Sequence, residues 1–110
     1  MKTINLKETG ASKEDCVILM EMFLQEAKNE GEVAVKLLHG YGSHGKGGAI
    51  YLAVREKLSF LKRHKKITDF FGGEKWNLLD KDTIGTLLKD KNCLDEDLNK
   101  SNPGITIVIL

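Results

Sequence analysis

The sequence lacks most of what a specialised class would require. No charge is in excess: 17 Lys and Arg stand against 16 Asp and Glu, a formal net charge of +1. Overall charge therefore does not mark the chain as a nucleic-acid or membrane-surface binder, and any electrostatic function must be local. No apolar run approaches the ~20 residues that a membrane helix needs, and the opening MKTINLKETG is too polar for a secretory leader. No membrane partner is expected, and the reducing cytoplasm is the expected compartment. Cysteine is scarce. Cys16 and Cys93 lie far apart in half-apolar windows, with no histidine at ligand spacing. They read as buried free thiols, not as a disulfide or a metal site. No tract is of low complexity, and 41% apolar residues argue against disorder.

What is present fits one domain, 1–110. Residues 4–6 alternate apolar and polar and form a short candidate strand. Ser12 followed by Asp15 resembles a capping box. From there Cys16, Leu19, Met20, Phe23, Leu24 and Ala27 recur at helical spacing until Gly31. Residues 33–38, VAVKLL, are apolar on both alternating faces except at Lys36, which places them inside a sheet. A second helix follows from Ala49, with Ile50, Ala53, Val54, Leu58 and Leu61 as its stripe. Its end is basic, Lys62 to Lys66, as suits a helix C-terminus. Residues 67–71 read as a third strand, stopped by Gly72 and Gly73. Residues 74–102 are polar and mixed. They hold a short helix at 80–89, with Ile84, Leu87 and Leu88 as its apolar side, and a turn or short helix at 94–98. Trp76 there reads as an anchor on the core. Pro103, tolerated at a strand start, leads into the apolar strand 105–110.

The order is βαβαβ, an insert, then β. Strand–helix–strand units give parallel pairs with right-handed crossovers. The expected fold is α/β: a two-layer sandwich of βαβαββ order, with a mixed four-stranded sheet, two main helices on one face and a helical insert before the last strand. That strand is expected to run antiparallel to a neighbour.

The stretch LLHGYGSHGKGGAI, 37–50, lies between a strand end and a helix start. Ligands of open α/β sheets gather there, and glycines let backbone N–H groups approach an anion. Three readings compete. Gly40, Gly42 and Gly45 fit a dinucleotide fingerprint, with Asp69 or Glu74 as the downstream acid at loose spacing. Gly40, Gly45 and Lys46 fit a P-loop, but Gly47 stands where Ser or Thr would hold magnesium. The third reading is a nucleic-acid backbone site. His39, at the strand's last position, would contact phosphate or serve as acid or base. Lys7, emerging from the neighbouring parallel strand, and His44 and Lys46 would add cations. Tyr41, among small neighbours, could stack on a base.

These residues resemble the small MutS-related (Smr) domain. The family has an H-G-x-G loop, matched by His39, Gly40, Tyr41 and Gly42. It has a G-A-[LI] helix start, matched by Gly48, Ala49 and Ile50, and a terminal strand after a glycine turn, matched by 104–110. The resemblance covers nearly the whole chain. It implies nucleic-acid binding, for which the candidate residues in this chain are Lys7, His39, Gly40, Tyr41, Gly42, His44, Lys46 and Gly48. In several members it implies metal-assisted nicking of DNA or RNA, with magnesium or manganese as the ion. The chain departs from the family in its first motif, where D-L-H-G or D-L-R-G becomes Asn5-Leu6-Lys7-Glu8. An amide carries no charge and accepts no proton near neutrality, so full endonuclease activity is not expected. His39 is the catalytic candidate that remains, with Glu8 as a substitute carboxylate. The loop also gains 44–47, the family's arginine early in the second helix is Tyr51, and the segment 74–102 is long. That segment is the candidate seat of a protein partner, and its acidic stretch 90–97 would sit away from phosphate.

Overall fold

The most apolar stretch of the chain takes the middle of the sheet. The structure, a computed structural model, describes residues 1–40 and 46–110, with side chains in the second range from Gly48 onward. Four strands lie in the order β1-β2-β4-β3. β1 (Lys2–Asn5) runs parallel to β2 (Ala34–Leu38), and β4 (Ile105–Ile109) runs antiparallel to both β2 and β3 (Asp69–Gly72). The register pairs Asn5 with Leu38, Leu38 with Ile105, and Gly72 with Thr106. The carboxyl ends of β1, β2 and β3 therefore share one rim with the amino end of β4.

Two helices cover one face. α1 (Lys13–Asn29) starts where the Ser12 hydroxyl accepts from the Asp15 N–H at 3.2 Å. It ends in a Schellman arrangement, with Glu32 N–H on Ala27 O and Gly31 N–H on Lys28 O, and Gly31 at φ +81°. α2 (Lys46–Arg63) packs beside it. Met20, Leu24 and Ala27 of α1, with Val54, Leu58 and Leu61 of α2, bury against Ile4, Val35, Leu37 and Val108 of the sheet.

The alternate residues, Ala34, Ile105, Ile107 and Ile109, face the other way, and a bare apolar sheet face is not stable in water. Residues 73–102 cover it. Trp76 and Cys93 join Phe71 there, with Leu87 and Leu98 half-buried at the margin. The insert thus adds a layer on the face opposite the two helices. Trp76 is a core anchor, and both cysteines are buried free thiols, as the sequence suggests. α3 (Lys81–Lys89) differs from its expected orientation. Of its three apolar residues only Leu87 turns toward this core, while Thr83 and Thr86 are buried.

Lys36 explains its place in β2. It points to the insert side, 4% exposed, with Nζ 3.0 Å from Asp95 and 2.6 Å from Asp97. Burial pulls its pKa down, but the bonds to Asp97 and Asp95 outweigh burial and leave it above the ordinary value. Lys36 in turn holds the Asp97 carboxyl below the usual range. Part of the acidic stretch 90–97 is therefore used internally, clamping the insert to the sheet. Lys36→Met would strand two carboxylates and should cost about 3–5 kcal/mol in urea unfolding. Adding Asp95→Asn and Asp97→Asn should recover part of that loss, because amides leave no charge unpaired.

Candidate functional site

The rim begins with the β1–α1 turn. Asn5 Oδ1 accepts from the N–H groups of Lys7 (3.0 Å) and Glu8 (3.2 Å), so the Asn5 amide folds the turn. The N–H groups of Leu6 and Lys7 both reach Leu38 O, which extends the β1–β2 pairing and brings Lys7 out beside the end of β2. The Lys7 side chain lies along Gly40, where an added Cβ would sit 3.7 Å from Lys7 Cδ and 3.8 Å from Cε. Gly40 has φ +76°, a conformation that favours glycine. His39 and Gly40 both donate their N–H to Gly104 O at 3.0 Å, fastening the start of the glycine loop to the start of β4.

His39 corrects the sequence reading. The ring is 1% exposed. Nδ1 lies 2.6 Å from Gly40 O and Nε2 lies 2.8 Å from Thr106 Oγ1. A carbonyl only accepts, so Nδ1 carries the proton, and Nε2 accepts from the Thr106 hydroxyl. Tyr51 closes over the ring edge-on, with centroids 5.3 Å apart. Burial lowers the pKa of His39. Its bond to Gly40 O opposes that, the charge of Arg55 lowers it further, and that of Glu74 raises it, leaving a net depression below 6.5. Both nitrogens of the neutral ring are engaged, so it neither donates to phosphate nor takes a proton from a nucleophile in this geometry. It is a positioning residue that orients the Gly40 peptide and ties β2 to β4.

Sequence reasoning missed Arg55. It lies one helical turn beyond Tyr51, and its guanidinium carbon is 5.1 Å from the Tyr51 ring centroid and 5.7 Å from that of Phe70. Nε is buried and has no hydrogen-bond partner among the described residues. Nη2 lies over Gly72, where an added Cβ would come within 2.6 Å of it and would also collide with the Glu74 carboxylate. Gly72 thus makes room for a cation and an acid side by side at the rim. The signal for Arg55 was its i, i+4 relation to Tyr51, where the resemblance led one to expect an arginine. The signal for Glu74 was its place just after the glycine pair that ends β3.

The other sequence candidates fall as follows. Glu8 is exposed, and its one described hydrogen bond joins its own N–H to Asn5. Asp69 starts β3 at the opposite edge, 2.8 Å from Lys62, and takes no part in the rim. Lys46 opens α2, whose first turn has no acidic residue, and Gly48 follows with open space at its Cβ position. Tyr41, Gly42 and His44 lie outside the described residues, as does most of the stretch behind both nucleotide motifs. Among the described residues no group of three His, Cys, Asp or Glu is placed to hold a metal ion. The rim's acid, Glu74, stands beside a guanidinium and the first-motif amide is committed to its turn, so this donor set does not fit the magnesium or manganese site that the resemblance implied.

The ends of β1, β2 and β3, with Lys7 and Arg55 beside them and the start of α2 close by, belong to an α/β domain. Its architecture is that of an Smr-like fold. The chain superposes on the Smr domain of MutS2 from Thermus thermophilus with a TM-score of 0.61 and 23% identity, over 100% of this chain and 98% of that one. No family model matches the sequence, and no curated protein does.

The depressed pKa of His39 has a consequence for stability. The unfolded ring takes up a proton near pH 6.5 and the folded ring resists it, so stability is full above that pH and declines below it until the folded value is passed. Thermal melts of the wild type between pH 7.5 and 5 should show this loss, at up to about 1.4 kcal/mol per pH unit within the window. His39→Gln should be less stable at pH 7.5 and flatter across the range. Equal slopes would remove His39 as the group responsible.

Proposed function

We propose that the rim binds the sugar–phosphate backbone of a nucleic acid without cutting it. The observation that carries this reading is Arg55: a half-buried guanidinium, always charged, held between two rings at the carboxyl edge of the parallel strands. A cation fixed in this way loses little freedom on meeting a phosphate. Lys7 supplies a second positive charge from the neighbouring turn, and the α2 N-terminus is free of acidic residues in its first turn. The amides of Gly40 and Gly48 flank the loop between β2 and α2, whose sequence adds Lys46 and His44 as cations and Tyr41 as a ring for a base. Contacts of this kind read backbone, not sequence. The likeness of fold to an Smr domain supports this class of ligand. Against cleavage stand the amide at Asn5, the occupied nitrogens of His39 and the poor donor set for a metal.

Binding to short single- and double-stranded probes should be detectable at low salt and weaken steeply as salt rises. Arg55→Ala should weaken it by roughly 10- to 100-fold, the worth of a charge-assisted hydrogen bond. Lys7→Ala should lower the salt slope by about one. Glu74→Gln should tighten binding, since it removes an anion beside Arg55. Fluorescence anisotropy would measure all four. Absence of binding to every probe at low salt would overturn the proposal. Incubation with supercoiled plasmid and structured RNA in magnesium or manganese should leave both intact, and cleavage lost in Arg55→Ala would restore a nuclease reading.

A further inference from the structure

The burial of α3 is inverted. Thr83 and Thr86 are 0% and 4% exposed, while Ile84 and Leu88 are 42% and 83% exposed, and Leu79 just before the helix is 96% exposed. The orientation is fastened. Asp80 accepts from the N–H groups of Asp82 and Thr83, Thr83 donates to Lys75 O, and Thr86 donates to Asp82 O. Thr83 goes inside because its hydroxyl finds Lys75 O there, Thr86 follows with its hydroxyl satisfied within the helix, and the helix turns an apolar ridge outward. The charges around that ridge are not balanced. Asp80 and Asp90 act as helix caps and Asp82 holds Lys75 at 2.8 Å. Lys81 and Lys89 have no ion pair among the described residues. The ridge is thus bordered by unpaired lysines, while the acids beside it are turned to backbone N–H groups or to Lys75.

A complementary ridge lies on α1. Ile18 and Met22, four residues apart, are 56% and 62% exposed, on the side away from the buried stripe of Cys16, Met20, Leu24 and Ala27. At i±3 and i±4 spacing they are flanked by Glu14, Asp15 and Glu26, which also have no ion pair among the described residues. The one acid there that is paired is Glu21, with Lys57 at 3.2 Å. One ridge is apolar with a cationic border and the other is apolar with an anionic border. They sit on opposite faces of the sheet.

We infer that copies of this chain associate head to tail, the ridge of Ile84 and Leu88 on one copy packing on the ridge of Ile18 and Met22 of the next. Rows of side chains at i, i+4 spacing interdigitate when helices cross, and the lysines of α3 meet the carboxylates of α1. Like-with-like pairing is disfavoured. Two copies of α3 related by a two-fold axis would set Lys81 against Lys89, and two copies of α1 would set acid against acid. A head-to-tail contact leaves one ridge open at each end, so association continues with concentration and does not stop at a dimer. A nine-residue helix, about 13 Å long, gives a contact at the small end of protein interfaces, so the association is weak.

Sedimentation velocity from about 10 µM to about 1 mM brackets the range for a contact of this size. The wild type should rise in mean mass across it, less so at high salt, where the bordering charges are screened. Leu88→Asp and Met22→Lys should each remain monomeric throughout. Mixed together they should form a 1:1 complex and nothing larger, because each retains the ridge the other has lost. Both positions are exposed, so circular dichroism should show folded variants. The milder Leu88→Ser and Met22→Ser should weaken association in the same pattern if either charged variant unfolds. A wild type that stays monomeric at the highest concentration overturns the inference. So does self-association that survives in either single variant, or a mixture that fails to pair while the wild type associates.

Discussion

A strand apolar on both faces must be covered on both, and here that strand is the last one. β4 lies between β2 and β3, every residue of it buried. One side of the sheet receives the two long helices in the ordinary way. The other requires a cover, and residues 73–102 provide it. Trp76 fills that cover. Lys36 reaches out of the sheet to clamp it through Asp95 and Asp97, and the Gly73 backbone packs so closely against Asn102 and Ile105 that no side chain fits there. Without the insert, β4 would present Ile105, Ile107 and Ile109 to water, and the sheet that aligns the rim would lose its central strand.

The rim inherits its order from the same strand. Gly104 O takes two N–H groups from His39 and Gly40, and Thr106 donates to the imidazole. The glycine loop therefore leaves β2 from a peptide fixed by β4, not from a free strand end. A histidine in such a position does more by staying neutral than by ionising. A charged ring would need a second acceptor at Nε2, where the Thr106 hydroxyl now donates. Burial therefore keeps the ring neutral against the pull of the Gly40 bond, and the ring's value to the site lies in geometry.

The strands, both long helices, the caps and the internal place of residues 33–38 were legible because each rests on local pattern: period, capping residue or two-faced apolarity. Smr-like architecture was legible from the H-G-x-G run and its flanks. The direction of His39 was not. An imidazole before a glycine loop can face ligand or core equally well, and what decides is Thr106, 67 residues away in sequence. Arg55 was hidden for a similar reason. Apolar periodicity marks the buried stripe of a helix but not which polar residue at its border meets rings from Tyr51 and Phe70. α3 misled in the opposite sense, since its hydrophobic pattern was clear and its burial contrary. The Thr83 hydroxyl is satisfied by Lys75 O, which only the folded insert brings near, and that of Thr86 by Asp82 O one turn back in the same helix.

A chain of net charge +1 can still be an anion receptor if its positive charge is held still while its negative charge is movable or spent. Arg55 is held between two rings, whereas Glu74 is an exposed side chain resting over a glycine. In the proposed mode of binding, an arriving phosphate would compete with an exposed carboxylate for a preorganised guanidinium, and the carboxylate would turn into water at little cost. Of the acids in the insert, Asp95 and Asp97 are held on Lys36, which offsets one of their two charges and keeps both carboxylates engaged away from the rim. Affinity then depends on a few placed cations and not on bulk charge, and for so small a set the counterion release on binding, and hence the steepness of the salt dependence, counts the phosphates engaged.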